Sequence, residues 1–184
     1  MRAFFTLYLL AVTLAANAHI FVYHRFGDPK HASTNISLEK LKTDFTYLKN
    51  NGYTVIPLKK LTELILKNQE IPNKSVVLTI DDNYKSFYQN GLPIFKEFNY
   101  PFTLFVYTQA TQDSYGDFMT WDALKETSKY GELGLHSHTH AHLTTLTNEV
   151  IKKDTNKSLH LFQKALGFKP NSYVYPFGEF DQKV

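Results

Sequence analysis

Val76-Val77-Leu78-Thr79-Ile80-Asp81-Asp82-Asn83 is the stretch that decides the fold class. A continuous run of β-prone residues is what a strand buried on both faces of a parallel sheet shows. This run ends abruptly in two adjacent carboxylates, which repel each other unless a cation or solvent separates their charges. Two readings are open. The pair caps an ordinary strand-to-helix loop, or one carboxylate holds a metal while the other stands beside it as a base.

Outward from this strand the same alternation repeats. Strands are expected over His19 to His24, Tyr53 to Pro57, Phe102 to Tyr107, Leu133 to Leu135 and Tyr173 to Tyr175. Between them, Leu38, Leu41, Phe45 and Leu48 fall on one helical stripe, with Ser37 as N-cap and Asn50-Asn51-Gly52 as a stop. Leu61, Leu64 and Ile65 mark a second helix, and Phe87 to Phe98 a third, interrupted by Gly91 and Pro93. The last helix starts after Thr147, carries Val150, Ile151, Leu159, Phe162 and Leu166 inward, and stops at Gly167. Strands alternating with helices predict an α/β fold with a parallel sheet. Polar residues follow the strands directly, in Tyr23-His24-Arg25, Asp81-Asp82-Asn83, His136 to His142 and Tyr175-Pro176-Phe177-Gly178. In a (β/α) barrel such strand ends meet at one mouth. No G-x-G-x-x-G or Walker sequence follows a strand, so nucleotide binding lacks its usual support.

Asp82 with His136 and His140 is a candidate metal set, since two histidines four apart on a helical turn share a face and a carboxylate from another strand end completes three ligands. Three protein ligands leave room for water and substrate, as catalytic sites do. Spacing alone leaves the interleaved pair His138 and His142 equally open.

Composition limits the partners. The chain has 184 residues, and a formal charge of +3 spread along it gives no basic patch for nucleic acid. Aromatic residues reach 15%, with 15 Phe and 12 Tyr, enough to fill a core and line a carbohydrate groove. At the N-terminus, Arg2, an apolar run from Ala3 to Leu14 and Ala16-Asn17-Ala18 read as a signal peptide cleaved after Ala18, leaving a domain of residues 19–184. The run is shorter than the ~20 residues of a bilayer span, so no stable membrane span is expected after cleavage. With no cysteine, this exported protein, periplasmic or extracellular in the bacterial manner, relies on packing and metal instead of disulfides.

Two motifs resemble a known family, the polysaccharide deacetylases of the NodB-homology type (carbohydrate esterase family 4). Thr79-Ile80-Asp81-Asp82 is similar to its T-F-D-D, and Glu132-Leu133-Gly134-Leu135-His136-Ser137-His138-Thr139-His140-Ala141-His142-Leu143 to its E-x-G-x-H-[S/T]-x-x-H-x-x-L. That register selects His136 and His140. Tyr23-His24-Arg25-Phe26 and Tyr173-Val174-Tyr175-Pro176-Phe177-Gly178 resemble the branch of exported exopolysaccharide and peptidoglycan deacetylases. Val174 stands where the third motif often carries an Arg.

The resemblance implies a distorted (β/α) barrel and a metal-dependent hydrolase that removes N-acetyl groups from an N-acetylglucosamine-containing polysaccharide. Asp81 is then the general base, and Asp82, His136 and His140 hold a divalent ion, zinc first among them. Tyr175, Pro176, Phe177 and Gly178 line the substrate groove, with the Phe177 N–H facing the oxyanion. The family's final Leu-x-His motif, which supplies a general-acid histidine, has no counterpart after the third motif, so the resemblance implies a domain incomplete at its C-terminus. His24, at the end of the first strand, is the candidate within the chain for that missing acid. The competing reading is a non-catalytic periplasmic module that keeps the fold and binds glycan or metal, distinguished by metal-dependent acetate release. A non-haem iron oxygenase also uses two histidines and a carboxylate, but on β-sandwich barrels rather than alternating β and α elements.

Overall fold

A computed structural model describes residues 18–184. The expected leader lies outside the described residues except for Ala18, which opens the first strand and pairs with Ser75. The main sheet is all parallel. β1 (Ala18–Tyr23) runs the full length of β5 (Ser75–Ile80), with Tyr23 opposite Ile80. The other edge of β5 is shared. Its first residues pair with β4 (Thr54–Val55) and its last with β6 (Thr103–Val106), which in turn pairs with β7 (Glu132–Leu135). All six residues of β5 are buried, the polar Ser75 and Thr79 with the four aliphatic ones, as a strand covered on both faces requires.

The helices follow their end signals. Ser37 caps α1 (Leu38–Asn50) by accepting the Lys40 N–H, and Leu41, Phe45 and Leu48 turn inward. α2 (Leu58–Leu66) buries Leu61 and Leu64 but leaves Ile65 facing out. The interruption expected at Gly91 and Pro93 is a π-helical turn, Phe87–Gly91, feeding α3 (Leu92–Phe98). A Cβ at Gly91 would come within 2.9 Å of the Phe26 and Phe87 rings, so only glycine lets the turn pack that closely. Thr147 caps α6 (Asn148–Leu166), and Gly167 ends it in the left-handed region at φ 83°.

Several expectations need correction. The segment Tyr173 to Tyr175 is no strand but a single bridge, Tyr173 to Leu135. Tyr53 to Pro57 shrinks to two paired residues. The parallel pair β2 (Arg25–Phe26) and β3 (Asn35–Ile36), and the short helices α4 (Thr108–Gln112) and α5 (Trp121–Thr127), had no sequence signal strong enough to place them. The inward stripe of α6 is Asp154, Ser158, Phe162 and Leu166, while Val150 faces solvent.

An aromatic cluster fills the space beneath the sheet. Phe95 sits at its centre, edge-on to Phe26, Phe45, Phe87 and Phe102 with centroid separations of 4.9 to 6.1 Å. These rings are essentially solvent-free.

Candidate metal centre

Strand C-termini do bring the predicted segments together. The Asp81 N–H donates to the Tyr23 carbonyl, which sets the carboxylate pair beside His24. His136 leaves β7 with its N–H on the Val106 carbonyl, and Val174 joins alongside through its N–H to the Leu135 carbonyl. His136, His138 and His140 lie on a loop, not on a helical turn as the spacing suggested. Positive φ at Ser137 (62°) and His140 (51°) folds that loop back so that the two imidazoles meet.

One ligand-capable atom from each of Asp82, His136 and His140 lies within 4.8 Å of the others. Asp82 Oδ1 is 3.0 Å from His140 Nε2 and 3.4 Å from His136 Nε2, and the two Nε2 atoms are 3.2 Å apart. His136 Nδ1 lies 3.0 Å from the Val174 carbonyl, which can only accept, so the ring proton is on Nδ1 and the Nε2 lone pair faces the cluster. Burial pushes the His136 pKa down to about 4, against the Val174 hydrogen bond and Asp82, so the ring is neutral. Asp82 Oδ1 is buried with no directed donor. A buried carboxylate oxygen without a proton donor, converging with two imidazole nitrogens of which one is a bare lone pair, has the chemistry of a divalent-metal site.

The other residues separate by role. Asp81 is buried, and its Oδ1 also lacks a partner. Burial and the Asp82 charge push its pKa up to about 7, with His140 opposing. Asp82, although burial opposes it, is held below the usual carboxylate range by His140, His136 and His24. His24 is half-buried and feels both Asp82 and His140; burial lowers its pKa, Asp82 raises it and His140 lowers it. His138 is excluded from the cluster, since its ring is buried with Nδ1 3.0 Å from Thr108 Oγ1. His142 is exposed, bonds Glu179 at 2.9 Å and stacks on Phe177 at 3.9 Å. Phe177 thus stands between His142 and His140, edge-on to the latter at 4.7 Å. Its φ of 61° is unusual for a bulky residue. Phe177 is open to solvent beside the cluster and Tyr175 is exposed on the same turn, whereas Pro176 is buried and shapes the turn instead of lining a surface. Val174, where the motif often carries an Arg, contributes its backbone carbonyl to His136, a contact that any residue could make.

Two residues beyond the sequence-derived set support the centre. Asn83, at φ 42°, accepts the Tyr107 N–H (2.7 Å) and donates to Thr111 Oγ1 (3.0 Å), pinning the loop that carries Asp82. Asp154 bonds the histidine loop. Its sequence signal was an acid four residues before Ser158, eight before Phe162 and twelve before Leu166, on the buried stripe.

The family model described as polysaccharide deacetylase matches residues 68–184. The chain belongs to the polysaccharide deacetylase family. Among curated relatives, the poly-β-1,6-N-acetyl-D-glucosamine N-deacetylase of Escherichia coli (strain K12) is 26% identical over 187 residues, covering 79% of this chain and 28% of its own. The protein of the same description from Staphylococcus aureus (strain MSSA476) is 25% identical over 171 residues, covering 86% of this chain and 59% of its own. The chain therefore spans from about a quarter to three fifths of the length of these relatives. Among solved structures, the Streptococcus pyogenes deacetylase PplD in complex with acetate superposes with a TM-score of 0.82 at 21% identity, over 90% of this chain and 76% of that one. IcaB from Ammonifex degensii gives 0.82 at 21% identity, over 92% and 78%. These likenesses establish the distorted (β/α) barrel of the family; among the described residues its ladder runs β1-β5-β6-β7, with β4 also on β5.

Proposed function

We propose that the chain is a metal-dependent N-deacetylase acting on an N-acetylglucosamine polymer, with poly-β-1,6-linked N-acetylglucosamine as the leading substrate. The observation that carries this reading is the convergence of Asp82, His136 and His140 beside an orphaned, high-pKa Asp81. Relatives described as poly-β-1,6-N-acetyl-D-glucosamine N-deacetylases support the substrate class.

Asp82, His136 and His140 would hold a divalent ion, zinc in our reading, which would supply a Lewis acid and lower the pKa of a water at its open position from about 15.7 towards ~7. Asp81 Oδ takes a proton from the water whose oxygen adds to the amide carbon. We assign the Phe177 N–H, on a turn whose ring lies 4.7 Å from that of His140, as the donor to the developing oxyanion. When the C–N bond breaks, the proton that Asp81 took reaches the departing nitrogen with His24 as the relay, giving acetate and a free amine. His24 fits because it ends β1 and lies within electrostatic reach of Asp82 and His140. Tyr175 and Phe177 offer exposed aromatic faces on which sugar rings can stack.

We place the domain at residues 19–184, behind a signal peptide of residues 1–18, and its action in the periplasm or outside the cell. Arg2 with its apolar run supports this. Among the described residues no helix is long and apolar enough to cross a membrane.

The test is acetate release from a β-1,6-linked N-acetylglucosamine oligomer with and without zinc. Release that needs the metal and falls in both Asp81→Asn and His24→Gln is the expected result. Zinc binding without any release would favour the non-catalytic module, and release from His24→Gln at the unsubstituted rate would remove the acid role.

A further inference from the structure

The polar residues packed behind the histidine loop take no part in the chemistry above, yet they are placed as if they govern it. Asp154 is 6% exposed on the inward stripe of α6, and among the described residues no basic side chain forms an ion pair with it. Its charge is met by the loop instead. Oδ1 accepts the His138 N–H at 2.7 Å, and Oδ2 accepts both the Thr139 N–H at 2.8 Å and the Thr139 hydroxyl at 2.6 Å. Residues 138 and 139 lie between the two imidazole ligands. From the other side the first N–H groups of α4, on Thr108 and Gln109, donate to the carbonyls of Ser137 (3.3 Å) and His138 (3.0 Å).

The loop needs such a clamp. Ser137 and His140 both hold left-handed backbone conformations, which non-glycine residues adopt only at a cost. Within the loop itself the His140 N–H donates to Ser137 Oγ at 2.8 Å. An uncompensated charge buried on a helix is expensive, so three donors aimed at one carboxylate form a site selected for the loop and not a packing accident. An amide would not replace it, because its NH2 would face a donor where the second oxygen now accepts.

We propose that Asp154 is the positioning residue of the metal centre, fixing from α6 the separation and direction of His136 and His140 by clamping the two residues between them. This rests on reading Asp82, His136 and His140 as a metal site. The experiment is zinc affinity by competition with a chromophoric chelator, the visible spectrum of the cobalt-loaded protein, and melting of the chelator-treated protein, on Asp154→Asn and on Ser158→Ala. Asp154→Asn is expected to bind zinc 10- to 100-fold more weakly, the usual cost of losing a group that orients a ligand, with a changed cobalt spectrum. Ser158→Ala, one turn along the same buried stripe, is expected to keep affinity and spectrum whatever its melting temperature. Zinc binding by Asp154→Asn at unsubstituted strength, or an equal loss in Ser158→Ala, would overturn the assignment. Should Asp154→Asn not fold, Thr139→Val removes one of the three bonds at constant shape; a several-fold weaker affinity supports the clamp and an unchanged one overturns it. A chain that binds zinc and releases no acetate defeats the enzymatic reading alone, whereas a chain that binds no zinc defeats the metal site and this inference together.

Discussion

The rim at the strand C-termini and the aromatic core beneath it are built by opposite rules. Beneath the sheet, Phe26, Phe45, Phe87, Phe95 and Phe102 pack against one another, mostly edge-on. At the rim, five of the nine positive-φ non-glycine residues among those described gather within three loops: Asp82, Asn83, Ser137, His140 and Phe177. Both carboxylates there keep a buried oxygen without a donor. The core is therefore where the chain gains stability and the rim is where it gives some up. A substitution should reveal which region it lies in by whether stability and chemistry move together or apart.

The sharpest separation comes from the ligands. His136→Ala or His140→Ala should abolish tight divalent binding, while His142→Ala, exposed and stacked on Phe177, leaves it nearly intact; zinc titration of the three checks this. Equal losses would erase the distinction between the two interleaved pairs. Asp81→Asn should keep the metal and lower turnover by about 10² to 10⁴, the contribution of a positioned base, as read from acetate release at saturating zinc.

The core gives the opposite sign. Phe95→Ala should cost about 3–5 kcal/mol in a denaturant melt while the folded fraction binds zinc normally. The most diagnostic effect concerns the metal-free chain. Burial and the Asp82 charge push the folded Asp81 pKa up to about 7 from its ordinary value of 3.8, so the native state holds a proton that the unfolded state releases between those values. Stability from this group is highest below about pH 4, falls as pH rises, and levels off above about 7. Asp81→Asn removes that penalty. Chelator-treated Asp81→Asn should thus be more stable than the parent at pH 8, on the order of a few kcal/mol, and show no gain near pH 4. Destabilisation at pH 8 would mean that the rim is packed like the core.

How much of this was legible follows from how local each feature is. The strand ending in Asp81-Asp82 could be read because six consecutive buried positions leave an unmistakable apolar run. Ser37, Thr147 and Gly167 could be read because capping is settled within four residues. The histidine pair could be read as a pair but not as a loop, since the fold-back depends on Asp154, which lies fourteen residues past His140 in sequence. Asp154 itself was hidden because an acid in an amphipathic helix ordinarily faces water. The two-residue strands β2 and β3 pair only with each other, and the bridge at Tyr173 needs Leu135 in place before it exists.

The shared edge of β5 carries a consequence for motion. A strand bonded along one side to β1, and along the other to β4 and then β6, has its amides released to solvent only when several ladders open together. β1, by contrast, has one strand neighbour among the described residues, and Ile20, Phe21 and Val22 stand open. Hydrogen exchange should therefore be slowest in β5 and fast along β1. Asp82 then follows the most slowly exchanging strand of the sheet and His24 a faster-exchanging edge strand, so that the proposed proton donor is free to fluctuate while the carboxylate beside it stays still.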